Sequence, residues 1–335
     1  MGHIGKQTIK FDKSPIITHT YSSVGPKEGK GPMKEHFHHI YEDELMGQKS
    51  WEKGEAQMIK HTITSLLTAA DKKAKEIDYI LGGDLQNQIN ATHLGVKDFN
   101  RPFFGLYAAC STMGEAMGLG AILVGTGLAN CVIAGSTSHY ATAERQFRFP
   151  LEYGGQRTMT QQWTVTGSGY VLIEPTGTGP KIESITTGKI VDFNIKDASN
   201  MGAAMAPAAV DTIIAHLRDT NQKPSDYDAI ITGDLGHCGL SLALELAQHS
   251  EIDLTPNMHD CGAMMFDSET QGTHSGASGC GCSASLFSSY WYKELKAKNL
   301  KKILLVPTGA LMSQSSAQQG ENILGIAHAV SISSI

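Results

Sequence analysis

The chain lacks the basic excess that draws polyanions. Across 335 residues, 27 Lys+Arg stand against 33 Asp+Glu, a formal net charge of −6, so phosphate backbones meet no basic field and nucleic acid is excluded as an expected partner. Cysteine is scarce. Six residues (Cys110, Cys131, Cys238, Cys261, Cys280, Cys282) include no CxxC pair, which excludes a disulfide scaffold and points to a reducing compartment. The opening stretch MGHIGKQTIKFDKSP has no apolar core of the kind a secretory leader needs. Long hydrophobic runs are also missing, with one stretch to test: residues 113–135 carry a single charge, Glu115, but Gly125-Thr126-Gly127 interrupts them. A buried helix running into a buried strand is expected there, and not a membrane span. What remains, 41% hydrophobic and 18% charged residues with 36 glycines, is the composition of a packed globular chain with many tight turns.

At roughly 150 residues per domain the length allows two domains or one fold of two halves, and an internal echo favours the halves. Ile77-Asp78-Tyr79-Ile80-Leu81-Gly82-Gly83-Asp84-Leu85 returns as Tyr227-Asp228-Ala229-Ile230-Ile231-Thr232-Gly233-Asp234-Leu235. Each copy follows an amphipathic helical stripe, Met58 to Ala70 and Val210 to Leu217. A second echo sets Ala109-Cys110-Ser111-Thr112 against Gly281-Cys282-Ser283-Ala284. Short apolar strands alternating with helices predict an α/β fold with mainly parallel sheets covered on both faces. The halves are expected at residues 1–176 and 177–335, joined at Gly177-Thr178-Gly179-Pro180, with an irregular, glycine- and proline-broken segment over residues 1–50.

Cys110 ends an apolar run and opens a helix, a position where the helix dipole favours a thiolate nucleophile; a buried, inert thiol is the alternative. Ala109-Cys110-Ser111, the later Gly272-Thr273-His274-Ser275-Gly276-Ala277-Ser278-Gly279 and the doubled topology together resemble the thiolase and ketoacyl synthase superfamily. That resemblance implies a five-layered αβαβα fold and an acyl-accepting cysteine, with a histidine of the glycine-rich segment serving the oxyanion hole or acting as base. The departures matter. Where the superfamily places an Asn-Glu-x-Phe segment or a catalytic histidine, this chain has Gly233-Asp234-Leu235-Gly236-His237-Cys238, and where thiolases put a second reactive cysteine it has Pro307-Thr308-Gly309-Ala310. Losing a proton-transfer group costs on the order of 10²- to 10⁴-fold in rate, so efficient condensation or thiolysis is not expected unless His237 or His274 serves as the base.

A closer likeness rests on Gly25-Pro26-Lys27-Glu28, on the run from Ser138-His139-Tyr140-Ala141-Thr142-Ala143-Glu144-Arg145 through Gln156, and on Val165-Thr166-Gly167-Ser168-Gly169. By these marks the chain resembles, end to end, a thiolase-like stage V sporulation family of endospore-forming bacteria. The resemblance implies a binding protein for dipicolinic acid (pyridine-2,6-dicarboxylate) that works with membrane-embedded subunits at the forespore and spore inner membrane. It also implies a homodimer and no cofactor.

Such a flat dianion needs a narrow slot with amide donors or arginine forks, and Cys110, Ser111, Asp234, His237, His274, Gly276, Arg145 and Arg148 are the candidate contacts. The arginines could instead pair with Glu144 and Glu152. Asp234 could hold calcium or cap a helix. His36, His38 and His39 lack metal-ligand spacing. The rival reading is an acyltransferase with Cys110 as nucleophile and His274 or His237 as base.

Overall fold

The structure, a computed structural model, describes residues 2–147 and 157–335. Its sheet order shows the two halves directly. In the first half the strands run, from the outer edge inward, Phe103–Gly105, Tyr79–Gly83, Val132–Ser138, Gly167–Glu174 and Ile16–Val24; in the second, Met258–Asp260, Ala229–Thr232, Lys302–Val306, Ala329–Ser333 and Lys181–Thr186. The three outer strands of each half are mutually parallel and the inner joins are antiparallel. The halves meet along strand Lys181–Thr186, where Lys181 pairs with Ile16 and Ser184, Ile185 and Thr186 pair antiparallel with Lys10, Ile9 and Thr8. The expected mainly parallel sheet is therefore mixed: an antiparallel neighbour needs no crossover helix, so helix–strand alternation reveals only the outer three strands.

Alternating strand residues divide three apolar layers between them. Ile80, Ile133 and Leu172 face Ile59, Ile63 and Leu66 of the helix Trp51–Ala69. Leu81, Val132 and Val171 of one sheet and Ile231, Ile303 and Leu305 of the other enclose two central helices between them. One is Thr112–Gly125; the other spans residues 280–296, with one wide turn over Phe287–Trp291. Ile230, Leu304 and Val306 face the helices Met201–Thr220 and Gly236–His249. Helices, sheet, helices, sheet and helices make the αβαβα order, and the stretch tested for a membrane span is helix Thr112–Gly125 followed by strand Val132–Ser138. No helix among the described residues is long and apolar enough to cross a membrane.

The first fifty residues hold more order than their glycines and prolines suggest. Ile16–Val24 is a nine-residue strand paired along its length with Gly167–Glu174. Its sequence, IITHTYSSV, hides it, because Thr18, Thr20, Ser22 and Ser23 are buried with hydroxyls bonded to other parts of the fold and the apolar alternation is lost. The helix that carries Cys282 starts at Cys280. The positive φ of Gly279 (106°) matches that of Ala109 (47°) one residue before Cys110, so the structure pairs Cys110 with Cys280, two residues away from the register in which the sequence echo aligned it.

Candidate functional site

Cys110 sits where the loop after Phe103–Gly105 turns into the central helix. Ala109 adopts a left-handed backbone to make that turn, a conformation uncommon outside glycine and enriched where geometry serves function. Gly309 allows the turn to be covered: a Cβ there would lie 3.0 Å from the Cys110 nitrogen. Ser111 and Thr112 amides are already used, donating to Ala108 O at 2.9 Å and Ala109 O at 3.3 Å. The Ser111 hydroxyl donates to Pro307 O at 2.6 Å and accepts from His328 N at 3.0 Å. Ser111 is thus spent on holding the two halves together, and the expected donors for a ligand are not free at that position.

Asp234, carried from the end of strand Ala229–Thr232, is fully buried beside the thiol. Burial, then the nearby charge of Asp260, pushes its carboxyl well above the usual carboxylate range; the Thr308 amide, at 3.2 Å from Oδ1, and the Cys110 thiol pull less strongly the other way. Oδ2 receives no hydrogen bond of ordinary geometry. Burial thus favours the protonated over the charged form of this carboxyl. As a calcium contact it does not fit, since calcium needs charged oxygens in number and no group of three or more His, Cys, Asp or Glu among the described residues is placed to hold a metal.

Asp260 sets the turn that presents Asp234. Its Oδ2 accepts from Thr232 Oγ1 at 2.8 Å and Leu235 N at 2.9 Å, and its Oδ1 from Gly236 N at 2.8 Å and Ala263 N at 2.9 Å. Gln162 bridges the same turn to the glycine-rich segment through Asp234 O and Ala277 O.

The cavity at Cys110 is small, about 50 Å³, and mostly apolar: Leu85, Ala143, Phe147, Met205 and Met312 line it, with Thr164 and Ser278 as polar walls. Among the described residues, no histidine, lysine or arginine lines it. His237 is exposed, its backbone nitrogen bound to Ser275 O at 2.7 Å. His274 is half-buried in a left-handed conformation. In the superfamily segment the histidine precedes Gly-Ala-Ser-Gly by three residues; here buried Thr273 holds that place and His274 comes one residue later. Gly276 lets the segment pass close to Gly262, and its carbonyl accepts from Trp163 N at 2.8 Å, which is a structural task.

Arg145 pairs with Glu52 at 2.8 Å; Glu152 and Arg148 lie outside the described residues. Cys280 is buried in the same cluster as Cys110 and Leu85, its thiol donating to Thr137 O at 3.0 Å. Its place in the doubled topology, and not its C-x-C spacing, was the available signal.

A family model described as Stage V sporulation protein AD matches residues 5–333. The chain belongs to the stage V sporulation protein AD family. The Bacillus subtilis (strain 168) Stage V sporulation protein AD is 39% identical over 326 residues, 97% of this chain and 96% of that one. Two solved structures share the fold of this family member at 12% identity and a TM-score of 0.57: the 3-oxoacyl-[acyl-carrier-protein] synthase III of Aquifex aeolicus VF5, covering 96% of this chain and 100% of that one, and human mitochondrial 3-ketoacyl-CoA thiolase in complex with CoA, covering 98% and 100%. The family's sequence marks meet in space: Glu28, of Gly25-Pro26-Lys27-Glu28, accepts from the nitrogen of Thr166, of Val165-Thr166-Gly167-Ser168-Gly169, at 3.0 Å.

Proposed function

We propose that this stage V sporulation protein AD family member is a non-catalytic binding protein for dipicolinic acid, serving a membrane-associated assembly that moves the ligand during sporulation and germination. The observation that carries the reading is the partner of Cys110, a fully buried carboxyl that burial biases toward its protonated form, where a nucleophilic thiol would need a base. An acyl-transfer site needs nucleophile, base and oxyanion donors together. Here His237 and His274 are absent from the cavity lining, and the Ser111 and Thr112 amides at the start of the central helix are occupied. Asp234 in its protonated form removes the main electrostatic objection to a dianion. Calcium, if carried, is cargo chelated by the ligand and not a resident of the protein.

The acyltransferase reading keeps one favourable feature, the strained Ala109 turn that presents Cys110. Calorimetric titration with dipicolinate, with and without calcium, separates the two. The binding function predicts saturable heat with affinity better than millimolar, about 4 kcal/mol, and an affinity weaker than that contradicts it.

The same reading includes pairing of two copies through the outer strand Phe103–Gly105. That strand is a free sheet edge, with Phe104 half exposed beside Tyr79, and an exposed apolar edge favours addition of a further strand. Sedimentation at the mass of one 35.9 kDa chain would contradict the pairing.

A further inference from the structure

We propose that one carboxylate of the ligand is received outside the thiol cavity, in a polar groove where it displaces Glu52 from Arg145. The inference rests on the binding function proposed above and adds the subsite and its built-in competitor. Arg145 and Gln146 lie on the helix Tyr140–Phe147. The Arg145 guanidinium stands 4.7 Å over the Trp51 ring, and its Nη1 is 2.8 Å from Glu52 Oε1. Side chains of this pair are 44% and 31% exposed, so water screens the attraction and the partner is held weakly. A ligand carboxylate, matching the guanidinium fork with two parallel bonds, takes the place of Glu52, and the indole face keeps the arginine positioned through the exchange.

The groove has the size for this. It encloses about 580 Å³, and among its described lining residues Arg145 and Glu52 are the charged pair while the rest are amides and hydroxyls; small-molecule sites commonly fall within about 300–1,000 Å³. Its walls are built in advance. Asn87 and Gln146 grip each other, Asn87 N donating to Gln146 Oε1 and Gln146 Nε2 donating to Asn87 Oδ1, both at 2.8 Å. Gln86 Nε2 and Thr142 Oγ1 each donate to the buried carboxyl of Glu55 at 2.7 Å.

A second hollow of about 350 Å³ shares Gln86, Asn87, Gln146 and Ser313 with the groove and adds Met312, which also lines the Cys110 cavity. Met312 is thus a wall common to this hollow and the thiol cavity. An independent mark lies on the same wall: Gln88 and Ile89 are consecutive left-handed residues, with φ of 55° and 49°. A β-branched residue in that conformation is a genuine outlier, and such strain gathers at ligand sites.

The arrangement predicts opposite effects from the two partners of one ion pair, which a purely structural bridge would not give. In calorimetric titrations of the full chain with dipicolinate, Glu52→Gln binds at least threefold tighter than the unaltered protein. Arg145→Ala binds at least tenfold weaker. Arg145→Lys falls between them, because an ammonium keeps the charge but loses the fork. Thermal midpoints within a few degrees of the unaltered chain confirm that the variants are folded. If the unaltered protein binds but Glu52→Gln gains nothing, or Arg145→Ala loses nothing, the subsite is wrong while the binding function stands. If the unaltered protein shows no binding, both fall together.

Discussion

An Asp260→Ala variant loses on the order of 4 kcal/mol of stability, and the Asp234 turn with it. Four donors end on this one buried carboxyl, three of them backbone amides at Leu235, Gly236 and Ala263 and the fourth the Thr232 hydroxyl. Each donor left buried without an acceptor costs about 1–3 kcal/mol, and a whole domain is stable by only about 5–15 kcal/mol. The loss reaches function because the Leu235 and Gly236 amides open helix Gly236–His249 directly after Asp234. Denaturant midpoints measure it. A loss below about 1 kcal/mol would show that something other than Asp260 holds the turn.

The contribution of Glu28 to stability falls as pH rises from about 4.5 to about 8. Histidines whose pKa is lowered by desolvation, His38, His216 and His328 among them, follow the opposite trend. Glu28 is fully buried; desolvation raises its pKa to about 8, against the pull of the Thr166 amide. Its Oε2 has no hydrogen-bond partner. The folded chain holds the proton more tightly than the unfolded one, so the stabilising term is complete below the unfolded pKa of 4.5. It disappears as pH passes through the folded value, where the carboxylate must be charged in a dry site.

The full shift corresponds to on the order of 4 kcal/mol. Glu55, Asp84, Asp234 and Asp260 are raised as well, each chiefly by burial, so they add to the slope in the same sense. The difference between the unaltered chain and Glu28→Gln isolates one group. Glutamine still accepts from Thr166 N but does not titrate, and its profile is expected to be flatter between pH 5 and pH 8. Parallel profiles for the two proteins would contradict the assignment.

The repeated Ile-Leu-Gly-Gly-Asp and Ile-Ile-Thr-Gly-Asp runs carried the fold, because parallel strands buried on both faces are written as continuous apolar segments and closed by an acid. Ile16–Val24 was illegible for the opposite reason: its buried hydroxyls find partners in other elements, as Thr20 does 268 residues away at Ser288 O.

At the site, the approach of Asp234 to Cys110 was legible from the duplicated strand ends. The bias of Asp234 toward its protonated form was not, since it depends on burial and on Asp260, which no motif marks. His237 and His274 were drawn in by their neighbours in sequence, yet one points its backbone to Ser275 and stays exposed, and the other sits one residue past the family position. Arg145 was read against Glu144 and Glu152 because they are near in sequence, while its partner Glu52 comes from the start of a different helix. Charge pairing across a fold leaves no local trace in the sequence.

The central claim is that Cys110 faces an acid and not a base, so that the superfamily's architecture holds a ligand here without transferring an acyl group. Incubation of the full chain with acetyl-CoA, followed by intact-protein and peptide mass spectrometry with CoA release measured in parallel, tests it most directly. The account predicts an unmodified Cys110 and CoA release no faster than in buffer. An acetyl adduct on Cys110 that forms and clears with repeated release of CoA would contradict it.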